Sequence, residues 1–170
     1  MGIDPGLRVT GYGVIFQQNQ SARYIASGII KTSNDEGNLA SRIKIILSGL
    51  TQVIEQFQPE VVAIEKVFVN TNPQSTLLLG QARGAAIAAA VLKDLDVFEY
   101  TALQIKKSVV GKGHATKNQV QVMIQRLLNL PSIPSTDSAD ALACGICHAN
   151  ISNSLSNLGV GNRMKGGRII

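Results

Sequence analysis

The order of patterns along this sequence predicts an α/β fold, a five-stranded mixed sheet flanked by helices. Three β-rich segments come first, with no helix between them. Two short apolar runs follow, each behind a stretch of helical spacing, and the rest of the chain is helical in pattern. Strands joined through helices run parallel, whereas tight turns join antiparallel strands. Strands 1, 4 and 5 are therefore expected to be parallel, with strand 2 antiparallel between strands 1 and 3.

The first strand is a stub, "MGID", closed off by Pro5 and Gly6. "VTGYGVIFQ" and "ARYIASGIIKT" are β-rich and flank the polar "QNQS", which reads as a hairpin. "NLASRIKIILSGLTQVIEQF" places Leu39, Ile43, Ile46, Leu50, Ile54 and Phe57 at helical spacing and stops before Pro59. "EVVAI" is the continuous apolar run of a buried parallel strand, and Glu65 ends it. After the polar "NTNPQS" comes a helix rich in small residues, from about Gln74 to Leu92, and then the fifth strand, "DVFEYT". Helices near 101–110 and 116–129 are joined by the glycine-hinged "GKGHATK", and the last helix is "DSADALACGICHANI". A single domain over 1–151 is expected, followed by a mobile basic tail over 152–170, rich in Ser, Asn and Gly.

At 170 residues, 45% hydrophobic and 16% charged, the chain can bury a core and is not of disordered composition. With no Trp and 4% aromatics, a broad stacking platform for single strands is not expected. The longest apolar helical run, "GAAIAAAVL", is far short of the roughly 20 residues that span a bilayer, so no membrane partner is expected. No charged lead and apolar core of an export signal opens the chain, which points to the cytoplasm. Lys and Arg number 16 against 11 Asp and Glu. Setting aside Asp4, Glu65, Asp137 and Asp140 leaves only seven acids against those 16 bases. From Tyr100 to Thr136 there are five basic residues, Lys106 and Lys117 among them, and no acid. Such a stretch suits a phosphate backbone, although a solvated basic face has the same composition.

The four acids set aside are the chemical core of the reading. If strands 1 and 4 are adjacent and parallel, Asp4 and Glu65 stand side by side at the carboxyl end of the sheet, where open α/β sheets bind ligands. Asp137 and Asp140, three apart on a helix, share a face. Packing that face over the strand ends would bring four carboxylates together, which repel unless a cation joins them. Hard divalent ions such as Mg²⁺, or Mn²⁺, prefer carboxylate oxygens. Two ions about 3.5–4 Å apart can stabilise both the attacking and the leaving oxygen of a phosphodiester. Each acid also has a plainer reading: Asp4 as a turn former, Glu65 as a solvated strand exit, Asp137 as a helix cap, and Asp140 as a complement to the positive helix end. Taken together with the basic remainder, they favour a metal-dependent enzyme acting on nucleic acid.

"GIDPGLRVTGYGVI", "FQPEVVAIEKVF", "LGQARG", "VFEY", "IKKSVVGKGHATKNQVQ" and "DSADALA" occur in that order from Gly2 to about His148. In these blocks the chain resembles the RuvC family of Holliday junction resolvases. The resemblance implies a ribonuclease H-like fold, a homodimer, and Mg²⁺-dependent paired nicking of four-way DNA junctions across two like strands. It also implies work with a branch-migration motor in recombination and repair. By position, Asp4, Glu65, Asp137 and Asp140 correspond to the family's catalytic and metal-binding acids. Phe68 corresponds to an aromatic residue that stacks on junction bases, and Lys106 and Lys117 to basic residues near the scissile phosphate. Only Met1, Gly2 and Ile3 precede Asp4, fewer apolar residues than the family usually has there, and so short a central strand is expected to pair poorly.

Other readings compete. "CGICH", Cys144 to His148, fits the c-type haem pattern, but it falls inside an apolar helix, and core positions suit Cys144 and Cys147 better. Actin-type ATP-binding proteins share the core fold but need two such domains. A short nuclease of the same fold that processes ribosomal RNA precursors ranks second, because it lacks counterparts to "LGQARG" and to the Lys-rich block. A module that binds junctions without cutting them would lack metal-dependent nicking.

Overall fold

The computed structural model describes all residues except 19–20, 34–37, 68–71, 158–163, 166–167 and 170. Its main sheet has five strands: β1 (Gly2–Asp4), β2 (Val9–Gln18), β3 (Ser21–Lys31), β4 (Val61–Glu65) and β5 (Asp96–Tyr100). They lie in the order β3-β2-β1-β4-β5. β1 is antiparallel to β2 and parallel to β4, and β4 is parallel to β5, as expected. This is the mixed sheet of a ribonuclease H-like fold. The stub β1 does not pair poorly: it is bonded on both edges, with Ile3 opposite Tyr12 on one side and Ile64 on the other. Its central position supplies the pairing that its three residues could not support at an edge.

Helices α1 (Leu39–Phe57) and α2 (Pro73–Val91) cover one face of the sheet. Ile46 and Leu50 of α1 are fully buried in a core with Ile3, Val62 and Ile64. Each such side chain stabilises the fold by about 1.5–3 kcal/mol relative to exposure. Small residues of α2 (Ala82, Ala85, Ala86, Ala89 and Ala90) complete this layer. Helices α3 (Ala102–Val110), α4 (Lys117–Leu127) and α5 (Thr136–Asn157) cover the other face. Ala63, Tyr100, Ile105, Ile124 and Leu142 form the core there.

The haem-like pattern is part of this second core. Cys144 and Cys147 are buried, and burial raises the thiol of each. His148 lies against Phe98 with ring centroids 4.4 Å apart, and its Nδ1 is 2.8 Å from the Tyr100 hydroxyl.

α5 runs past the expected boundary at residue 151, so 152–157 are helical. Ile151 is packed on the second core, Leu155 is half-buried one turn later, and the Ser154 hydroxyl donates to the Asn150 carbonyl at 2.8 Å. These contacts offset the low helix propensity of the Ser and Asn residues. Beyond it, β6 (Met164–Lys165) and β7 (Arg168–Ile169) form a short antiparallel pair.

Candidate active site

Strand alternation decides where the first two acids point. Ile3, Val62 and Ile64 enter the α1–α2 core, so Gly2, Asp4, Ala63 and Glu65 face the α5 side. Continuing the register from Ile3 opposite Ile64 sets Asp4 beside Glu65 at the carboxyl end of two parallel strands. Asp4 does not close the turn that follows it. Thr10 does, accepting from the Gly6 N–H at 3.3 Å and donating to the Gly6 carbonyl at 2.8 Å.

Three glycines let α5 come down onto this part of the sheet. A methyl group at Gly2 would lie 2.6 Å from the Gly145 nitrogen, and one at Gly13 would lie 2.7 Å from the Leu142 side chain. At Gly11, the partner of Asp4 across the β1–β2 ladder, it would lie 2.6 Å from the Asp137 carbonyl carbon. Only a residue without Cβ allows this approach, and it seats the start of α5 against Asp4. The cap of α5 is Ser135, whose hydroxyl accepts from the Ser138 N–H at 3.4 Å and donates to the Ser138 hydroxyl at 2.9 Å. Asp137 is thereby relieved of the capping role that its position suggests.

Asp4, Glu65 and Asp140 line one open cleft of ≈ 360 Å³, together with Lys66, Lys106 and Lys117. Asp137 is outside the lining, but its charge is felt by both Asp4 and Asp140. Phe68 lies outside the described residues. Burial, followed by the charges of Asp140, Glu65 and Asp137, pushes Asp4 up to about 7. Burial also raises Glu65, with Asp140 adding to the effect and Lys106 and Lys117 opposing it. Asp140 is raised by burial even though the Lys117 ammonium sits 3.6 Å from its Oδ2. Lys117 is 71% exposed, so solvent weakens that pair.

The lysines are held by capped helices. Thr101 caps α3, accepting from the Gln104 N–H at 3.2 Å, and Lys106 sits one turn further on. Thr116 caps α4, accepting from the Gln119 N–H at 3.3 Å, and Lys117 is the first helical residue. A cation at the positive end of a helix is locally unfavourable. Facing three acids across a cleft, it is favourable.

The oxygen-only donor set, half-buried and mutually repelling, fits a hard divalent cation. Among the described residues, no three His, Cys, Asp or Glu side chains are already closed to metal-binding distance. Two residues of this site were not singled out in the sequence. Lys66 follows Glu65 directly and lines the cleft, but a lysine after a strand ordinarily reads as solvated. Arg83 of α2 donates to the Glu65 main-chain carbonyl, and nothing in helical periodicity foretells this.

Comparison with known proteins bears directly on this arrangement. The family model of the crossover junction endodeoxyribonuclease RuvC matches residues 1–148. The crossover junction endodeoxyribonuclease RuvC of Methylobacillus flagellatus is 61% identical over all of this chain and 97% of its own length. That of Azoarcus sp. is 58% identical over all of this chain and 92% of its own. Among solved structures, T. thermophilus RuvC in complex with a Holliday junction substrate superposes with a TM-score of 0.83 at 32% identity, covering 90% of this chain and 93% of the other. Acids at paired strand ends, lysines around them and relatives matched along the full length agree: the chain belongs to the RuvC family of crossover junction endodeoxyribonucleases.

Proposed function

We propose that this protein resolves four-way DNA junctions by metal-dependent nicking of two like strands, with Asp4, Glu65, Asp137 and Asp140 as the carboxylates that hold Mg²⁺. One observation carries the reading of the site: acids from three separate elements, β1, β4 and α5, converge on one cleft that also presents three lysines. A turn former does not account for Asp4 buried among the three other acids and pushed up to about 7 by them and by burial. Two ions held by this set would lower the pKa of an attacking water and support the departing 3′ oxygen. The chain's own groups do the rest. Asp4 gives up its proton before it can ligate. Lys106 and Lys117 offset the charge that develops on the phosphoryl group. Lys66 holds a neighbouring phosphate, and Phe68 stacks on a base at the crossover.

The protein acts as a homodimer, since two coordinated nicks need two cleavage sites. An exposed stripe on α2 supports this: Leu77 is 70% and Val91 56% exposed, and Gly80 and Gly84 between them have open space where a Cβ would stand. A branch-migration motor is its working partner and the cytoplasm its compartment. Among the described residues, no helix is long and apolar enough to cross a membrane. The segment after α5, with Arg163, Lys165 and Arg168 and no acid, adds basic charge at the junction.

The test compares a synthetic four-way junction, a linear duplex and an RNA hairpin, each with Mg²⁺ and with EDTA. Paired nicks in the junction alone, dependent on Mg²⁺, are expected. Asp4→Asn, Glu65→Gln, Asp137→Asn and Asp140→Asn should each abolish cutting by roughly 10³-fold or more while the junction stays bound. Loss of binding in all four variants would contradict the division of labour between acids and lysines, and cleavage of the RNA hairpin would favour a processing nuclease.

A further inference from the structure

Arg83 is the one basic side chain of α2, in a helix otherwise made of small, apolar and polar residues. Its guanidinium is used on two sides. Nη2 pairs with Oε1 of Glu99 on β5, and Nε donates to the main-chain carbonyl of Glu65 at 3.3 Å, a long hydrogen bond. The other end of the same peptide group is held by β5, the Lys66 N–H donating to the Tyr100 carbonyl at 2.7 Å. Glu99 stands opposite Ile64 in the β4–β5 ladder, so the anchor of Arg83 is in register with the residue before Glu65. The contact joins three elements, α2, β4 and β5, at the point where β4 delivers its acid to the cleft.

From this geometry we infer that Arg83 is a positioning residue for the cleavage reaction: braced by Glu99, it fixes the main chain of Glu65 and so aims that carboxylate at the metal-binding cleft. The inference rests on the carboxylate site proposed above. A strand's last residue has lost its ladder on one side and is free to pivot unless something holds it. A guanidinium is suited to the task because its donors are fixed in one plane, so the bond to Glu99 orients the donor aimed at Glu65. Lysine can keep the charge pair but cannot serve both acceptors in that geometry. The plainer account is that Arg83 merely ties α2 to the sheet.

The two accounts separate in a set of full-length variants: Arg83→Lys, Arg83→Gln, the charge swap Arg83→Glu/Glu99→Arg, and Glu65→Gln as a control. Each is measured for melting temperature, for junction affinity in EDTA, and for single-turnover cleavage of bound junction across a Mg²⁺ titration. Arg83→Lys should melt within a few degrees of the wild type and bind the junction equally. It should cut about 10–100-fold more slowly, because misplacement on the order of 1 Å costs that much. It should also need more Mg²⁺ for half-maximal rate. The swap should regain the melting temperature lost in Arg83→Gln without regaining the cleavage rate, since a carboxylate then faces the Glu65 carbonyl. Wild-type cleavage by a folded Arg83→Lys variant, or recovery of rate together with melting temperature in the swap, would overturn the inference. Wild-type cleavage by Glu65→Gln would instead overturn the site on which it rests.

Discussion

Asp4 is the residue whose titration the fold has altered most informatively. Burial and three nearby acids push it up to about 7, whereas the unfolded chain holds it near 3.8. A carboxyl raised in this way contributes stability that is complete below the unfolded value and is lost as the pH rises through the folded one. His148 works in the opposite sense. Burial pushes it down to about 4, so the unfolded chain takes up its proton first below 6.5, and stability falls on the acid side. Above about pH 6.5 the amino group of Met1, pushed down to about 6 from 8.0 by burial, adds stability as the pH rises and opposes the acids, so the share of Asp4 is read by difference. In EDTA the wild type should lose melting temperature relative to Asp4→Asn between about pH 6.5 and about pH 8, and Mg²⁺ should narrow that loss. Asp4→Asn should melt higher than the wild type at about pH 8 in EDTA. A difference between the wild type and Asp4→Asn that does not change with pH in EDTA would show that Asp4 carries no such strain. In cleavage, the same proton sets the acid limb: rate at limiting Mg²⁺ should fall as the pH drops through about 7, and added Mg²⁺ should move that limb to lower pH.

At the scale of elements, the helical spacing in 38–57, the apolar run that ends in Glu65 and the "DSADALA" block were sufficient to place α1, β4 and the start of α5. Periodicity reports which face of an element is buried, and all three have a plain buried face. It does not report distance of approach. Gly11 and Gly2 look in the sequence like ordinary strand glycines, yet the helix above them leaves no room for a methyl group. That α5 is seated by this contact, and not by Asp137 acting as a cap, could not be read from "STDSAD", where several residues qualify for the role. Arg83 was hidden for a related reason: a charge on a small-residue helix reads as solvated until the partner strand is known. Gly11→Ala should lift the start of α5 from β2, cost about 1–3 kcal/mol through overpacking, and reduce cleavage far more than junction binding. Thermal melts beside cleavage and binding assays check this, and unchanged cleavage would show that α5 is not positioned there. On the opposite face of the sheet, Leu77→Glu on α2 should give monomers by light scattering and uncoupled single nicks in place of paired ones.

For the molecule as a whole, four of the eleven acids meet at one point and the rest of the chain carries 16 basic residues against seven acids. The carboxyl end of β1 and β4, which carries Asp4 and Glu65, is also where Lys66, Lys106 and Lys117 gather, so the cleft offers cations to a phosphate backbone beside its acids. Binding to a junction should weaken steeply with salt through counterion release, and removing Lys66 should lower the logarithmic salt slope by about 1 while leaving cleavage of bound junction largely intact. A flat salt response would remove the electrostatic part of the account. Composition made this division visible in advance, because once four acids are set aside the remainder is strongly basic. Which lysines would face the acids was less legible, since Lys106 and its neighbour Lys107 differ only in the side of α3 they occupy: Lys106 is half-buried at the cleft and Lys107 exposed.

The claim on which all of this depends is that four acids far apart in the chain serve one cation site at the carboxyl end of the central strands. Anomalous scattering from crystals soaked in Mn²⁺ tests it most directly. The account predicts metal peaks bounded by the carboxylates of Asp4, Glu65 and Asp140, with Asp137 completing the set, and their loss in Asp4→Asn. Metal bound elsewhere, with Asp137 and Asp140 turned away from the strand ends, would contradict it.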